Sequence, residues 1–362
     1  MALENNTTTP IPYQPGKTLE LKVVEDSGNL PLPQSVTAVI SKTYEPTMSS
    51  VMEVTIGTKS GPDICAILKL YDRRFGTDLR KIKGNRVPQT SEDESTFQSL
   101  VRRGDIVPIL RDLEEEKKTA VIPLDAWHYL DDTPEGREKY EVALWQECNG
   151  YFDCETEAYA LLKDLQGRSI PRLYAHVSLM LPGADIPQDL LQQPDQAQYM
   201  EVKGILLERI PGCSLWDLPT STLAPSDPDL WPGIVQSAVN AAHDINKHGL
   251  IMDDCAARNV VIDQDSQSPF IIDLAQCRFK HKLIEMWMNH EDSEDGEGLG
   301  GEVQDWDPDV EYWEWARGRD NPGAIGSVMA AQLLRLKNLK VDIEYPDYDG
   351  ITHSIQSRKG GS

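Results

Sequence analysis

The chain has 362 residues and a net charge of −24 at pH 7, a length that can bury a sizeable core and a charge that argues against nucleic acid or an anionic membrane as partner. No stretch is apolar over a membrane-spanning length and the N-terminus has no apolar signal core, so we expect a soluble cytoplasmic or otherwise intracellular protein. The cysteines are scattered without a CxxC pair, which predicts buried free thiols rather than disulfides or zinc ligands. They are Cys65, Cys148, Cys154, Cys213, Cys255 and Cys277.

The first informative strand is Cys65–Tyr71, in which apolar residues surround a single charge, Lys69. Considered alone, this pattern is typical of a surface lysine on an edge strand. The chain then continues through a charged segment, residues 72–118, and an amphipathic one, residues 134–152. Together these segments predict an insertion, part of it helical, over about residues 72–150.

A helix is predicted over Tyr151–Leu165, where apolar residues recur at helical spacing. Glu155 precedes apolar residues by three, four and seven positions, so we expect it on the buried face of that helix. Glu157 lies off the apolar stripe and is predicted to be solvated. A register error of two residues would exchange the two glutamates.

The most informative block spans residues 249–275. Asp254 and Asn259 lie five positions apart in a predicted loop, and a hairpin of two short apolar strands would then bring Asn259 at its entry and Asp273 at its exit to one end. Phosphoryl transfer needs a carboxylate that orients the attacking hydroxyl, and oxygen ligands for Mg²⁺. The pattern predicts that chemistry, with Asp254 as the carboxylate and Asn259 and Asp273 as metal ligands. A chance asparagine beside an acidic turn is the alternative.

This block resembles the catalytic loop and the metal-binding DFG segment of protein kinases, the latter as Asp273-Leu-Ala275. The run Cys255-Ala-Ala-Arg258-Asn259 is similar to the tyrosine-kinase version of the loop, which implies that Arg258 lies near the transferred phosphate. The strand that carries Lys69 resembles the Val-Ala-Ile-Lys strand of kinases. The resemblance implies that Lys69 binds the α- and β-phosphates of ATP and that Glu155 positions it.

Lys203–Leu215 resembles the last small-lobe strand and the hinge of kinases, which implies that Leu207, Glu208 and Ile210 lie near the adenine base. Taken whole, residues 19–340 resemble the divergent kinase-like proteins of filamentous fungi, related to aminoglycoside and other small-molecule phosphotransferases. The resemblance implies an α+β, bilobal kinase-like fold. Its N-lobe would be small and β-rich, with a helix C and a large insertion, and its C-lobe mainly helical.

Three features depart from an ordinary protein kinase. No Gly-x-Gly-x-x-Gly motif occurs between residues 19 and 60, and no Ala-Pro-Glu motif follows Asp273. Met252-Asp253 replaces the usual His-Arg before the catalytic aspartate, and Asp253 removes the cation that docks a phosphorylated activation loop. An acidic loop is predicted at about residues 290–311.

The predicted organisation is a flexible N-terminus, an N-lobe, a C-lobe and a flexible tail, at residues 1–18, 19–210, 211–345 and 346–362. The resemblance implies an ATP- and Mg²⁺-dependent phosphotransferase that acts on a hydroxyl of an unidentified protein or small molecule. The alternative is a weakly active or inactive pseudokinase that serves as a nucleotide-binding scaffold, because the glycine-rich loop is missing. Neither the acceptor nor the oligomeric state follows from the sequence.

Overall fold

The computed structural model describes residues 8–58, 61–120, 124–131, 133–180, 194–289 and 306–359. The chain divides into two units, one of Met1–Thr156 with Arg172–Arg209 and the other of Glu157–Pro171 with Ile210–Ser362. The first unit carries a closed β-barrel and the second is mainly helical. The predicted α+β class, with a β-rich N-terminal part and a helical C-terminal part, is confirmed.

A β-barrel forms the centre of the first unit. The strands of this unit are β1 (Thr18–Asp26), β2 (Ser35–Thr43), β3 (Ser50–Ile56), β4 (Ile64–Leu70), β5 (Lys81–Ile82), β6 (Asn85–Arg86), β7 (Leu173–Met180) and β8 (Glu201–Glu208). Antiparallel pairing closes six of them into the barrel in the order β1-β2-β3-β4-β8-β7, while β5 and β6 pair separately. Alternate residues of the barrel strands point inward and form one hydrophobic core. Its fully buried members include Leu21, Ala38, Met52, Val54, Ile56 and Leu68.

The helices of the first unit are α1 (Ser91–Arg103), α2 (Ile106–Thr119), α3 (Pro134–Leu161) and the short α4 (Pro194–Ala197), with 3₁₀ turns at Ala126–Tyr129 and Gln198–Met200. The residues of α3 from Glu157 onward belong to the second unit. A capping box of Thr90 and Asp93 begins α1, and Gly104, in the left-handed conformation, ends it. The helix predicted over Tyr151–Leu165 is present with other bounds, because the amphipathic segment and the helix that carries Glu155 form one continuous helix of 28 residues, α3, which ends at Leu161.

Buried ion pairs join separate segments of the predicted insertion to one another. Arg73 and Arg80 both pair with Glu141, at 2.5 and 2.6 Å, and the three side chains are 6, 3 and 1% exposed. Glu94 is a second partner of Arg73, at 2.5 Å. Because removal of one member of such a buried pair leaves a charge without compensation, these contacts fix the segments of the insertion relative to one another.

The second unit contains β9 (Gly212–Ser214), α5 (Trp231–Lys247), β10 (Leu250–Met252), β11 (Val260–Asp263), β12 (Pro269–Ile271), β13 (Cys277–Phe279), α6 (Lys280–Asn289), α7 (Pro308–Arg319), α8 (Asn321–Lys337) and α9 (Tyr348–Lys359). Its 3₁₀ turns lie at Lys163–Leu165, Leu215–Asp217, Pro228–Leu230 and Ala257–Asn259. β11 pairs antiparallel with both β12 and β9, and β10 pairs with β13. The two small sheets flank the segment predicted to be catalytic.

The structure describes residues 8–18 and 346–359 of the two ends that were predicted to be flexible. Tyr13 is 3% exposed, and its hydroxyl donates to Asp72 at 2.6 Å, so this part of the segment 1–18 packs against the first unit. The segment 346–362 contains the helix α9, in which Asp349 pairs with Arg317 at 2.7 Å and Thr352 is buried. Both described stretches therefore contact residues that are far away in the sequence.

Two further expectations concern the acidic loop and the cysteines. Most of the loop predicted at residues 290–311, namely 290–305, lies outside the described residues, and helix α7 begins at Pro308. All six cysteines are free thiols, with Cys148 and Cys213 buried and Cys65 exposed. None of the helices in the described ranges is long and apolar enough to cross a membrane.

Candidate active site

Lys69 lies inside the barrel wall, not on an edge strand. Its strand, β4, pairs with β3 on one side and β8 on the other. β8 comes so close that a Cβ on Gly204 would lie 2.7 Å from the carbonyl oxygen of Lys69, so only glycine fits there. The reading of Lys69 as a surface lysine that protects an edge strand is therefore wrong.

The partner of Lys69 is Glu155. Lys69 Nζ lies 2.7 Å from Glu155 Oε2, and the two side chains are 8 and 0% exposed. The Tyr71 hydroxyl donates to the same carboxylate oxygen. A charge pair buried this deeply repays its desolvation only when both groups are fully engaged, so the two side chains hold each other in one geometry.

The helix register follows the predicted one. Glu155 shares the buried face of α3 with Ala158 and Tyr159, and Leu162, directly after the helix, is buried as well; all three are 0% exposed. Glu157 is a third exposed and pairs with His281 at 3.2 Å and Lys282 at 2.5 Å. The glutamate that meets the lysine is therefore the one that the apolar spacing selected.

Of the three residues predicted to lie near adenine, Leu207 and Glu208 are the last two residues of β8. Leu207 is 3% exposed, and Glu208 pairs with Arg172 at 2.6 Å. The backbone N–H of Glu208 donates to the carbonyl oxygen of Arg172 at 2.8 Å, so this donor is engaged within the protein. Ile210 follows in the chain and is half-buried. Contact of these residues with adenine stays a prediction.

Asp254 lies in the loop between β10 and the 3₁₀ turn that begins at Ala257. The Nδ2 amide of Asn259 donates to the backbone oxygen of Asp254 at 2.9 Å and to its Oδ2 at 3.1 Å. Arg258 Nη2 donates to the other carboxylate oxygen, Oδ1. The Asp254 side chain is still 36% exposed, so it is oriented by two neighbours and accessible to a third partner.

Asp273 follows β12 at the open end of the β11–β12 hairpin. The N–H of Ile272 donates to the carbonyl oxygen of Asn259 at 3.0 Å, which brings Asn259 and Asp273 to the same end of the hairpin. The N–H of Ala275 donates to Asp273 Oδ1 at 3.3 Å. Within the described ranges no group of three or more His, Cys, Asp and Glu side chains could hold a metal ion. A magnesium ion held by one amide and one carboxylate together with nucleotide phosphates does not require such a group.

Asn321, at the start of α8, is a site residue that the sequence did not indicate. It is 1% exposed, its Nδ2 donates to the carbonyl oxygen of Met252 at 2.7 Å, and its Oδ1 accepts from the N–H of Met252 at 3.0 Å. The same oxygen accepts from Nδ2 of Asn246 at 3.0 Å. Asn321 therefore fixes the backbone two residues before Asp254.

Cys255, directly after Asp254, is a neutral thiol. Burial, helped by the negative charges of Asp254 and Asp320, raises the pKa of Cys255 to about 12. Since the thiolate is the reactive form of cysteine, this residue is not poised as a nucleophile. The reactive groups of the loop are the carboxylate and the guanidinium.

Comparisons with known proteins give little beyond this geometry. No family model matches the chain, and no curated protein sequence matches it. Among solved structures, the chain is similar to a double mutant of the PknI kinase domain of Mycobacterium tuberculosis, at 11% identity and a TM-score of 0.31. The similarity covers 66% of this chain, which spans 60% of the length of that structure.

Proposed function

We propose that the protein transfers the γ-phosphate of ATP, in the presence of Mg²⁺, to a hydroxyl of a protein or small-molecule acceptor. The observation that carries this proposal is the Asp254 carboxylate, which is 36% exposed and is held by Asn259 and Arg258. An accessible, oriented carboxylate next to oxygen ligands for a metal is the arrangement that phosphoryl transfer uses.

Asp254 would accept a hydrogen bond from the acceptor hydroxyl and take up its proton as the hydroxyl oxygen bonds to phosphorus and the bond from phosphorus to the leaving oxygen of ADP breaks. Arg258 would shift part of its contact from Asp254 to the transferred group, since its side chain is 62% exposed and has further N–H donors. Asn259 would keep the loop in place through its bond to the backbone oxygen of Asp254.

The donor set fits a magnesium nucleotide. Nδ2 of Asn259 faces Asp254, which leaves its Oδ1 for a metal, and Asp273 contributes a carboxylate. Bound Mg²⁺-ATP would supply the phosphoryl group and the charge that stabilises the leaving oxygen. Lys69 would bind the α- and β-phosphates, and Glu155 would hold the ammonium group at its observed position.

A nucleotide-binding scaffold without activity is the second candidate, and the connection between β2 and β3 favours it. This connection contains Pro46 but no glycine. The carbonyl oxygen of Pro46 accepts a hydrogen bond from the Thr77 hydroxyl. The carbonyl oxygen of Thr47 accepts a hydrogen bond from the N–H of Asp78 at 2.9 Å. A tethered connection of this kind adapts less readily to phosphates than a glycine-rich loop does.

The test is the thermal unfolding midpoint of wild type and Asp273→Ala, with and without millimolar Mg²⁺-ATP. A ligand at a hundredfold its dissociation constant stabilises the folded state by about 2.7 kcal/mol, which is a measurable shift. We expect a Mg²⁺-dependent increase in wild type that Asp273→Ala loses. Asp265→Asn, in the exposed hairpin turn, is the matched control and should keep the shift.

Three outcomes separate the candidates. A Mg²⁺-dependent shift together with release of ADP supports the phosphotransferase. The same shift without any ADP release above an Asp254→Asn sample makes the scaffold the better description. No shift in wild type overturns both.

A further inference from the structure

Asp253, the residue before Asp254, gathers two arginines from distant parts of the second unit. Nε of Arg278, in β13, donates to the two carboxylate oxygens of Asp253 at 3.0 and 2.9 Å. Nη2 of Arg319, the last residue of α7, lies 3.1 Å from Asp253 Oδ1. The sequence suggested that Asp253 removes a cation from this position, whereas the structure places two cations around it.

The cluster formed by Asp253, Arg278 and Arg319 keeps an excess of donors and of positive charge. A guanidinium group carries five N–H donors, and Asp253 engages Arg278 through Nε and Arg319 through one terminal nitrogen. In the part of the chain that the structure describes, neither arginine has a second acidic partner. Two cations around one anion leave one positive charge, in a chain whose net charge is −24.

A structural ion-pair network looks different in this same protein. Arg73, in the first unit, is 6% exposed and pairs with two carboxylates, Glu141 and Glu94. Arg278 and Arg319 are 36 and 42% exposed and share one carboxylate between them. Exposed ion pairs contribute little to stability, so packing alone does not account for two arginines at this place.

The position of the cluster is fixed. The N–H of Asp253 donates to the carbonyl oxygen of Gln276 at 2.8 Å, and Asn321 holds the backbone of Met252 on both sides. The guanidinium group of Arg278 lies over the ring of Trp315, and its Cζ is 5.5 Å from the ring centroid. The two arginines are therefore held beside the residue that is proposed to orient the acceptor.

We propose that Arg278 and Arg319 bind a phosphate group already carried by the acceptor, so that the protein phosphorylates acceptors that contain a phosphate. Asp253 occupies the Nε edge of Arg278 and leaves its two terminal nitrogens for a bidentate contact with phosphate oxygens. This assignment of a substrate class rests on the proposed phosphotransferase function, but binding of phosphate to the arginines does not depend on ATP.

The experiment uses inorganic phosphate as the probe, without nucleotide or metal. The thermal unfolding midpoint is measured in phosphate and in chloride of the same ionic strength, for wild type, Arg278→Gln and Arg319→Gln. Arg335→Gln, on the exposed side of α8, is the matched control for loss of a positive charge, and Lys69→Met removes another candidate phosphate-binding cation. All variants are compared in the same two buffers.

We expect phosphate to raise the midpoint of wild type, Arg335→Gln and Lys69→Met above the chloride value, and the increase to be lost in Arg278→Gln and reduced or lost in Arg319→Gln. No increase in wild type, or an increase that survives in both arginine variants, overturns the assignment. An increase that only Lys69→Met loses places the phosphate elsewhere and overturns it as well.

A kinetic measurement then ties the site to the acceptor. With a phosphorylated acceptor, Arg278→Gln should raise KM roughly tenfold or more, the cost of a lost hydrogen bond to a charged group, while kcat stays within a factor of two to three of wild type. Arg335→Gln should change neither. An equal loss of kcat with phosphorylated and unphosphorylated acceptors would contradict the assignment. If the protein transfers no phosphate, the thermal measurement still decides whether the arginines bind it.

Discussion

Lys69 and Asp254 are charged residues that we assign to one reaction, yet their surroundings differ. Lys69 lies in the wall of a closed barrel and its side chain is 8% exposed. It pairs with Glu155, which is fully buried. Asp254 is 36% exposed, and its carboxylate is shared by Arg258 and Asn259 in a loop. The lysine has a fixed partner, whereas the aspartate has partners that it can exchange with solvent or with an acceptor.

Because of this difference, we expect substitutions at the two residues to affect stability and the chemical step to different extents. A charge in a dry environment is costly without its counter-ion, so substitution of Lys69 or Glu155 should act strongly on folding, in addition to any effect on the nucleotide. An exposed carboxylate loses little on neutralisation, so substitution of Asp254 should act on the chemical step and leave folding intact. The buried pair in the first unit therefore allows a test of stability, and Asp254 in the second unit allows a test of the chemical step.

The largest effect is expected for Asp254→Asn. The amide keeps the size of the side chain but accepts no proton, and loss of a general base typically lowers rates by about 10²- to 10⁴-fold. ADP release and transfer to an acceptor are the readouts, with Asp265→Asn as control. We expect the urea unfolding midpoint to stay close to that of wild type. A variant that unfolds instead would show that Asp254 has a structural role, and the contrast with Lys69 would fail.

The Lys69–Glu155 pair gives the largest effect on stability. Lys69→Met or Glu155→Gln alone leaves one buried charge, which typically costs about 3–5 kcal/mol. The double variant removes both charges and should cost less than the sum of the two single changes. Urea unfolding of the three variants measures this coupling. Lys81→Met, which breaks an exposed pair with Asp78, should cost at most about 1 kcal/mol. Additive losses would mean that the buried pair is not coupled.

Asn321→Ala is expected to come next, and it affects both stability and rate. The substitution removes hydrogen bonds to the N–H and the carbonyl oxygen of Met252, which are buried. Unsatisfied buried groups cost about 1–3 kcal/mol each, partly offset when water enters. We expect a loss of about 2–3 kcal/mol in unfolding free energy and a lower kcat, because the loop that carries Asp254 is released. Asn240→Ala, on the exposed side of α5, is the control.

The sequence predicted the parts of the site that depend on local spacing. Asp254, Asn259 and Asp273 lie within one loop and one hairpin, where turn and strand patterns constrain the geometry directly. Glu155 was selected over Glu157 because the period of an α-helix decides which side chain is buried. Both inferences rely on residues that lie close to one another in the sequence.

The remaining features depend on contacts between residues far apart in sequence. Met252 and Asn321 are separated by 69 positions, and no local pattern around Asn321 indicates the contact. The closure of the barrel depends on the pairing of β1 with β7, and the packing of Tyr13 depends on Asp72, 59 positions away. Strand pairing and buried hydrogen bonds of this kind are chosen by the whole fold, so a one-dimensional pattern does not contain them.

Tyr71→Phe is the smallest of the expected effects and the finest probe of the buried pair. The change removes the hydroxyl that donates to Glu155 and retains the ring, which packs edge-on against Phe152 at 5.8 Å. A hydrogen bond to a buried carboxylate contributes about 1.5–3 kcal/mol in favourable cases, and the ammonium group of Lys69 still satisfies the carboxylate here, so we expect a loss of about 1 kcal/mol. Urea unfolding measures the loss.

Tyr44→Phe provides the matched control, because the Tyr44 hydroxyl donates to Glu53 at 2.6 Å on the outside of the barrel. Water replaces that hydroxyl at once, so its removal should cost less than the change at Tyr71. Equal losses at Tyr71 and Tyr44 would show that burial adds nothing to the hydrogen bond with Glu155. The lysine would then owe its position to the ion pair alone, and only the double variant of Lys69 and Glu155 could test how that position is held.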